Sequence, residues 1–89
     1  MSKSAEAIIA DARRIDQFLD DPAIKEALSR MERRYYEEFL AADSSEKRAA
    51  TQGKARVLKD LERELKSIIG AGEQAMLDAA KAAKRATEI

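Results

Sequence analysis

The side chains available for chemistry are carboxylates and cations, because the sequence contains no histidine and no cysteine. This excludes disulfides, zinc sites built on those residues, and the commonest general base. Two carboxylates can hydrolyse a glycoside, but neighbouring glutamates such as Glu37 and Glu38 are more typical of a solvated helix face. Gly70 and Gly72 do not form a phosphate-binding loop, since no strand precedes them and no Lys-Ser or Lys-Thr follows. We therefore expect no enzymatic activity, no cofactor and no metal.

The basic side chains could bind the phosphates of a nucleic acid. The 17 basic and 17 acidic residues cancel, so bulk charge does not hold nucleic acid to this chain. A local excess exists in residues 44–70, which carry seven cations and four carboxylates. The candidate DNA-binding residues in this segment are Lys47, Arg48, Lys54, Arg56 and Lys59. The alternative is ordinary surface charge, partly paired with carboxylates of neighbouring turns and helices.

Two smaller features also have two interpretations each. Tyr35 and Tyr36 are candidates for base stacking or partner recognition, or one packs in a helical core while the other covers its edge. Lys81, Lys84 and Arg85 are either a DNA-contacting arm or favourable charge at a helix C-terminus.

The elements that carry these residues are predicted to be helices only. The sequence has 18 alanines against three glycines and one proline, a composition that favours helix strongly. Apolar spacing predicts helices over 4–19, 22–42 and 45–70, within one domain over 1–72. Because the second link is short, helices two and three are expected to form a long antiparallel hairpin. Residues 73–89 are an alanine-rich tail, either helical or frayed.

Capping residues set the predicted helix boundaries. Ser4 is suited to cap the first helix, and Asp21 to cap the second, with Pro22 at its first position. Asp43 followed by Glu46 resembles a capping box for the third helix.

Glycines mark the other special positions of the predicted third helix. Gly53 is expected to allow close approach to helix two. Gly70 and Gly72 form a weak point at which the helix either ends or continues through a soft turn.

Each helix carries an apolar stripe, and the third is the most regular. Leu58, Leu61, Leu65 and Ile68 recur at three- and four-residue steps, as in a coiled coil, and are the predicted core and oligomerisation residues. Only 22 apolar side chains larger than alanine serve three helices. Since that is a thin core, we expect copies of the chain to associate into a homo-oligomer. No apolar run approaches a membrane span, and residues 1–10 have no signal-peptide core, so no membrane partner is expected.

Three segments resemble a known group of proteins. They are residues 18–28 (FLDDPAIKEAL), residues 36–39 (YEEF), and the run Leu58…Leu61…Leu65…Ile68-Ile69-Gly70…Gly72. This plan is similar to that of short helical proteins encoded among the packaging and head genes of tailed bacteriophages and gene transfer agents. Some of these resemble reduced small terminase subunits. The resemblance covers about residues 15–75.

The resemblance implies a non-enzymatic protein of viral DNA packaging in the cytoplasm of a bacterial host cell. Such a protein would form an oligomer through helical hairpins, bind double-stranded DNA and present it to the large terminase subunit. The alternative is a protein-interaction module without DNA binding, either a head-assembly adaptor or an inhibitor of a host protein.

Overall fold

A computed structural model describes residues 3–88, and these residues form three α-helices and no strand. The helices are α1 (Ala5–Asp20), α2 (Pro22–Ala41) and α3 (Ser45–Thr87). The predicted all-α fold class is therefore confirmed. Met1 and Ser2 of the predicted domain, and Ile89 of the predicted tail, lie outside the described residues.

The helix starts follow from local hydrogen bonds. The Ala7 N–H donates to the Ser4 hydroxyl at 3.2 Å, and the Ala23 N–H donates to the Asp21 carboxylate at 2.8 Å. Asp21 has extended backbone angles, and Pro22 occupies the first helical turn without loss of a donor. Both predicted caps are thus present.

The start of α3 differs from the predicted capping box. The Lys47 N–H donates to the Ser44 hydroxyl at 3.1 Å, so Ser44 caps this helix. Asp43 lies one residue too early for that role, and its carboxylate instead contacts the Lys47 ammonium at 2.9 Å. The prediction that Asp43 and Glu46 form the box was wrong by one residue.

Helix α3 continues through both glycines that were considered as its end. No glycine among the described residues has a positive φ, so neither Gly70 nor Gly72 forms the left-handed cap that usually stops a helix. The alanine-rich sequence that follows has high helix propensity and carries α3 on to Thr87.

The chain forms two compact units, and each contains part of α3. Unit 1 comprises Met1–Phe18 with Leu65–Ile89, and unit 2 comprises Leu19–Glu64. This division does not coincide with the boundary at residue 72 predicted from the sequence.

Unit 1 is built on a close approach between α1 and α3. Ala12 is buried, and a Cβ placed on Gly72 would collide with the Ala12 methyl and lie 3.5 Å from the Ile8 carbonyl oxygen. A Cβ on Gly53 would meet nothing within 4 Å, so the prediction that Gly53 marks a close approach was wrong. Glycine at position 72 permits this approach, because a larger side chain would have to displace Ala12.

Unit 2 packs α2 beside the first part of α3. Its α2 contributes half-buried side chains at three- and four-residue steps, namely Ile24, Leu28, Met31, Tyr35 and Phe39. Ala27 and Leu40 of α2 are exposed. From α3, Leu58 is 5% exposed and is the only large apolar side chain that is buried within residues 3–88.

Candidate interaction surfaces

Two of the predicted DNA-binding residues lie on one side of α3 and are paired with carboxylates. Lys47 and Lys54 are seven residues apart and therefore point the same way. The Lys47 ammonium contacts Asp43 at 2.9 Å, and the Lys54 ammonium contacts Glu38 of α2 at 3.3 Å. Their charge is locally balanced, which weakens them as phosphate contacts.

The other three candidates, Arg48, Arg56 and Lys59, lie on a different side of α3. The Lys59 ammonium lies between Glu32 at 3.5 Å and Glu62 at 3.7 Å.

The two arginines of this group keep more of their charge available. Arg48 donates to the Ala42 carbonyl at 3.3 Å, a bond that leaves its charge uncompensated. Within residues 3–88, neither Arg48 nor Arg56 has a carboxylate within 4 Å. The structure thus divides the five predicted cations between two sides and leaves two of them without an acidic partner.

The predicted leucine stripe is also divided. Leu58 is buried and Leu65 half-buried, whereas Leu61 and Ile68 are exposed. In unit 2 the inward positions of α3 are instead Thr51, Ala55, Leu58 and Glu62.

The two polar members of that inward row are accommodated by local contacts. Thr51 donates its hydroxyl to the Lys47 carbonyl at 3.1 Å, and Glu62 approaches Lys59. Because Thr51 and Glu62 are polar, apolar spacing alone does not predict this row.

Unit 2 exposes two pairs of large apolar side chains. Tyr36 and Leu40 on α2 are 64% and 65% exposed, and Val57 and Leu61 on α3 are 69% and 52% exposed. Each pair stands four residues apart, so its members are neighbours on the helix surface. A side chain held mostly in water contributes little to folding, so these pairs are candidates for contacts with another molecule.

A groove of about 370 Å³ lies between α2 and α3 of unit 2. The α2 side of the groove carries three aromatic residues, and the α3 side includes the small residue Ala55 and the buried Leu58. The lining residues are Glu32, Tyr35, Tyr36, Phe39, Thr51, Gln52, Ala55, Leu58 and Lys59. The adjacent tyrosines were the only sequence signal of this groove.

The two tyrosines have different environments in this groove. Tyr35 is half-buried between the helices and Tyr36 is exposed at the groove edge. The structure thus packs Tyr35 against the neighbouring helix and leaves the Tyr36 ring available to a partner.

Unit 1 contributes its own exposed apolar side chains, which are Phe18, Ile68, Met76 and Leu77. Lys81, Lys84 and Arg85 are exposed near the end of α3. Within the described residues none of these three cations pairs with a carboxylate. Their position in the last turns of α3 suits them to the helix dipole.

One carboxylate of unit 1 has a perturbed acidity. Hydrogen bonds from the Lys3 ammonium, at 2.8 Å, and from the Arg14 guanidinium hold the pKa of Asp11 below its ordinary value. Asp11 lies on the surface, and the three side chains form a small charge cluster at the start of α1.

No group of three potential metal-ligating side chains occurs among residues 3–88. In the same part of the chain, no helix is long and apolar enough to cross a membrane. Comparison of the chain with protein-family models, curated proteins and solved structures finds no match. The resemblance to phage packaging proteins therefore stays a prediction.

Proposed function

We propose that this protein is a non-enzymatic helical assembly module, whose copies associate through the surface formed by Val57 and Leu61. In this proposal α2 and the unit 2 part of α3 form an antiparallel hairpin that presents the surface. The single observation that carries it is the exposure of these two apolar side chains beside each other on one helix.

The antiparallel hairpin is supported by the order of two ion pairs. Lys54 contacts Glu38, and the later residue Lys59 contacts the earlier residue Glu32. Contacts between antiparallel helices have this order, because residue numbers rise along one helix as they fall along the other. The short link over residues 42–44 favours the same arrangement.

Association through Val57 and Leu61 is supported by the energy available from burial. Burying a fully exposed valine or leucine side chain stabilises by about 1.5–3 kcal/mol. Since Val57 is 69% and Leu61 52% exposed, association can still gain that fraction of the amount from each. Two copies related by a twofold axis would present the same pair to each other, so the contribution is doubled in an isologous contact. Leu58, by contrast, is already buried and offers nothing further to a partner.

The experiment is sedimentation velocity across a concentration series of the full chain. We expect wild type to associate and Leu61→Asp to shift towards monomer while keeping its helical circular dichroism, because Leu61 is exposed within its own unit. Leu40→Asp is the matched control, since Leu40 is similarly exposed on the other helix. A wild-type chain that stays monomeric up to about 100 μM, where a contact worth about 5.5 kcal/mol would be half formed, would refute the proposal.

A second proposal gives this assembly the DNA-packaging role that the small-terminase resemblance implies. It is supported by Arg48 and Arg56, which share one side of α3 without acidic partners. Under this proposal the assembly binds double-stranded DNA, engages the large terminase and acts in the bacterial cytoplasm. The competing role is a head-assembly adaptor or an inhibitor of a host protein.

DNA retardation across a salt series separates these roles. Binding that weakens steeply with salt, and that Arg56→Glu removes while Arg34→Glu does not, would support packaging. Absence of retardation at low salt by the assembled protein would exclude direct DNA contact and favour the adaptor or inhibitor.

A further inference from the structure

We infer that the aromatic groove of unit 2 is a docking site for an acidic amphipathic helix of a partner protein. The groove consists of the nine lining residues given above, with Tyr36 at its edge. It is a surface separate from Val57 and Leu61. Those two residues flank Leu58 on one side of α3, whereas Gln52 and Lys59 of the groove flank it on the other.

The groove has the dimensions and lining of a helix-binding cleft. Tyr35, Tyr36 and Phe39 form an apolar wall, and Ala55 leaves a recess opposite that wall. A volume of about 370 Å³ lies at the lower end of the range for sites that hold organic ligands. It accommodates a few anchor side chains, which an amphipathic helix supplies at three- and four-residue steps.

The charge beside the groove selects an acidic occupant. Arg48, Gln52, Arg56, Lys59 and Arg63 follow one another at steps of four, four, three and four residues, so they form one row on the groove side of α3. Gln52 and Lys59 line the groove itself.

Not every cation of this row is already compensated. Lys59 and Arg63 form ion pairs with nearby carboxylates. Arg48 and Arg56 are not, and their side chains are exposed. A helix lying in the groove with carboxylates at matching steps would compensate those two charges, and tyrosine and arginine are residue types enriched at binding hot spots.

The test uses a fluorescein-labelled synthetic helix of about 20 residues, titrated with the full chain and followed by fluorescence anisotropy. The probe carries Leu and Phe along one face and Glu along its flank. One control peptide has Lys in place of Glu, and another has Ser in place of the apolar residues. We expect the acidic amphipathic probe to bind at least about tenfold tighter than either control, which corresponds to about 1.4 kcal/mol.

Matched variants locate the binding. Tyr36→Ala should weaken binding about tenfold, whereas Leu40→Ala, equally exposed but outside the groove, should not. Arg56→Glu should weaken it likewise, whereas Arg34→Glu should not. Arg34 is two residues from both Glu32 and Tyr36 and therefore lies on the side of α2 away from the groove. Arg34→Glu changes the net charge of the chain by the same amount as Arg56→Glu.

Three results would overturn the inference. Equal binding of the Glu and Lys probes would show that charge does not select the occupant. Displacement of the acidic probe by single-stranded oligothymidylate would assign the groove to nucleic acid. A lowered sedimentation coefficient in Tyr36→Ala, with no probe binding by wild type, would assign it to a second copy. Leu61→Asp should leave probe binding unchanged, so failure of the assembly proposal and failure of this one are distinguishable.

Discussion

Replacement of Gly72 by alanine tests the close approach of α1 and α3 in unit 1. Alanine is favoured over glycine in a helix by about 0.8–1.0 kcal/mol, so the substitution would stabilise an open helix. At position 72 the added methyl meets the Ala12 methyl, which is fixed to the backbone and cannot rotate away. Overpacking of this kind costs about 1–3 kcal/mol. We therefore expect Gly72→Ala to be neutral or destabilising.

Two matched controls isolate the packing cost. A methyl at Gly53 or Gly70 meets nothing within 4 Å, so each alanine variant should be more stable than wild type by about 0.8–1.0 kcal/mol. Each kcal/mol corresponds to about 4–8 °C in Tm for a chain of this size. Gly72→Ala should therefore melt at least about 4 °C below Gly70→Ala.

Thermal unfolding by circular dichroism at one fixed protein concentration provides the measurement, because any association of copies would make Tm depend on concentration. The double variant Ala12→Gly/Gly72→Ala moves the methyl from one helix to the other. It should recover part of the loss, which a double-mutant cycle reports as a coupling energy. If Gly72→Ala gains as much stability as Gly70→Ala, the two helices do not approach each other at this position.

Three further predictions concern the helix starts and the charge cluster. Ser44→Ala should lower the free energy of unfolding in urea titrations by about 1 kcal/mol, because Ser44 is the cap of α3. Asp43→Ala should lower it by clearly less. A larger loss in Asp43→Ala than in Ser44→Ala would instead identify Asp43 as the cap. Asp21→Ala should cost about 1 kcal/mol through the lost bond to the Ala23 N–H, whereas Asp21→Asn, which keeps a side-chain acceptor, should retain most of the stability. Since the folded-state pKa of Asp11 lies below the ordinary value of 3.8, its pairing stabilises the fold above about pH 4 and is lost as the pH falls through that lower pKa. Asp11→Asn should flatten the acid limb of a stability–pH curve, and an unchanged limb would show that the Lys3 and Arg14 contacts do not persist in solution.

The fold class and most helix starts could be predicted because they depend on local sequence. Alanine favours helix through its intrinsic propensity, and the caps at Ser4 and Asp21 act within one turn of the chain. Neither effect needs tertiary information to be recognised. The Asp43 cap failed because Ser44 and Ser45 offer equally suitable capping chemistry one or two residues later, and spacing alone does not choose among them.

The candidate interaction surfaces could be predicted only in part, because they depend on which face of α3 turns inward. Apolar spacing selected Leu58, Leu61, Leu65 and Ile68 as one stripe, but Leu61 and Ile68 point outward. A threonine and a glutamate occupy inward positions of unit 2, and their hydrogen bond and ion pair make this acceptable. Similarly, nothing in the sequence distinguishes Gly72, where an added methyl would meet Ala12, from Gly70, where it would meet nothing within 4 Å.

The uninterrupted course of α3 from Ser45 to Thr87 has a consequence for folding. Beginning a helix is unfavourable, whereas lengthening an existing one adds a bond for every residue that is fixed. Once one unit has ordered its portion of α3, the other portion can grow by propagation and needs no nucleus of its own. Amide protons at the junction around Leu65 should therefore exchange with deuterium no faster than those on either side of it.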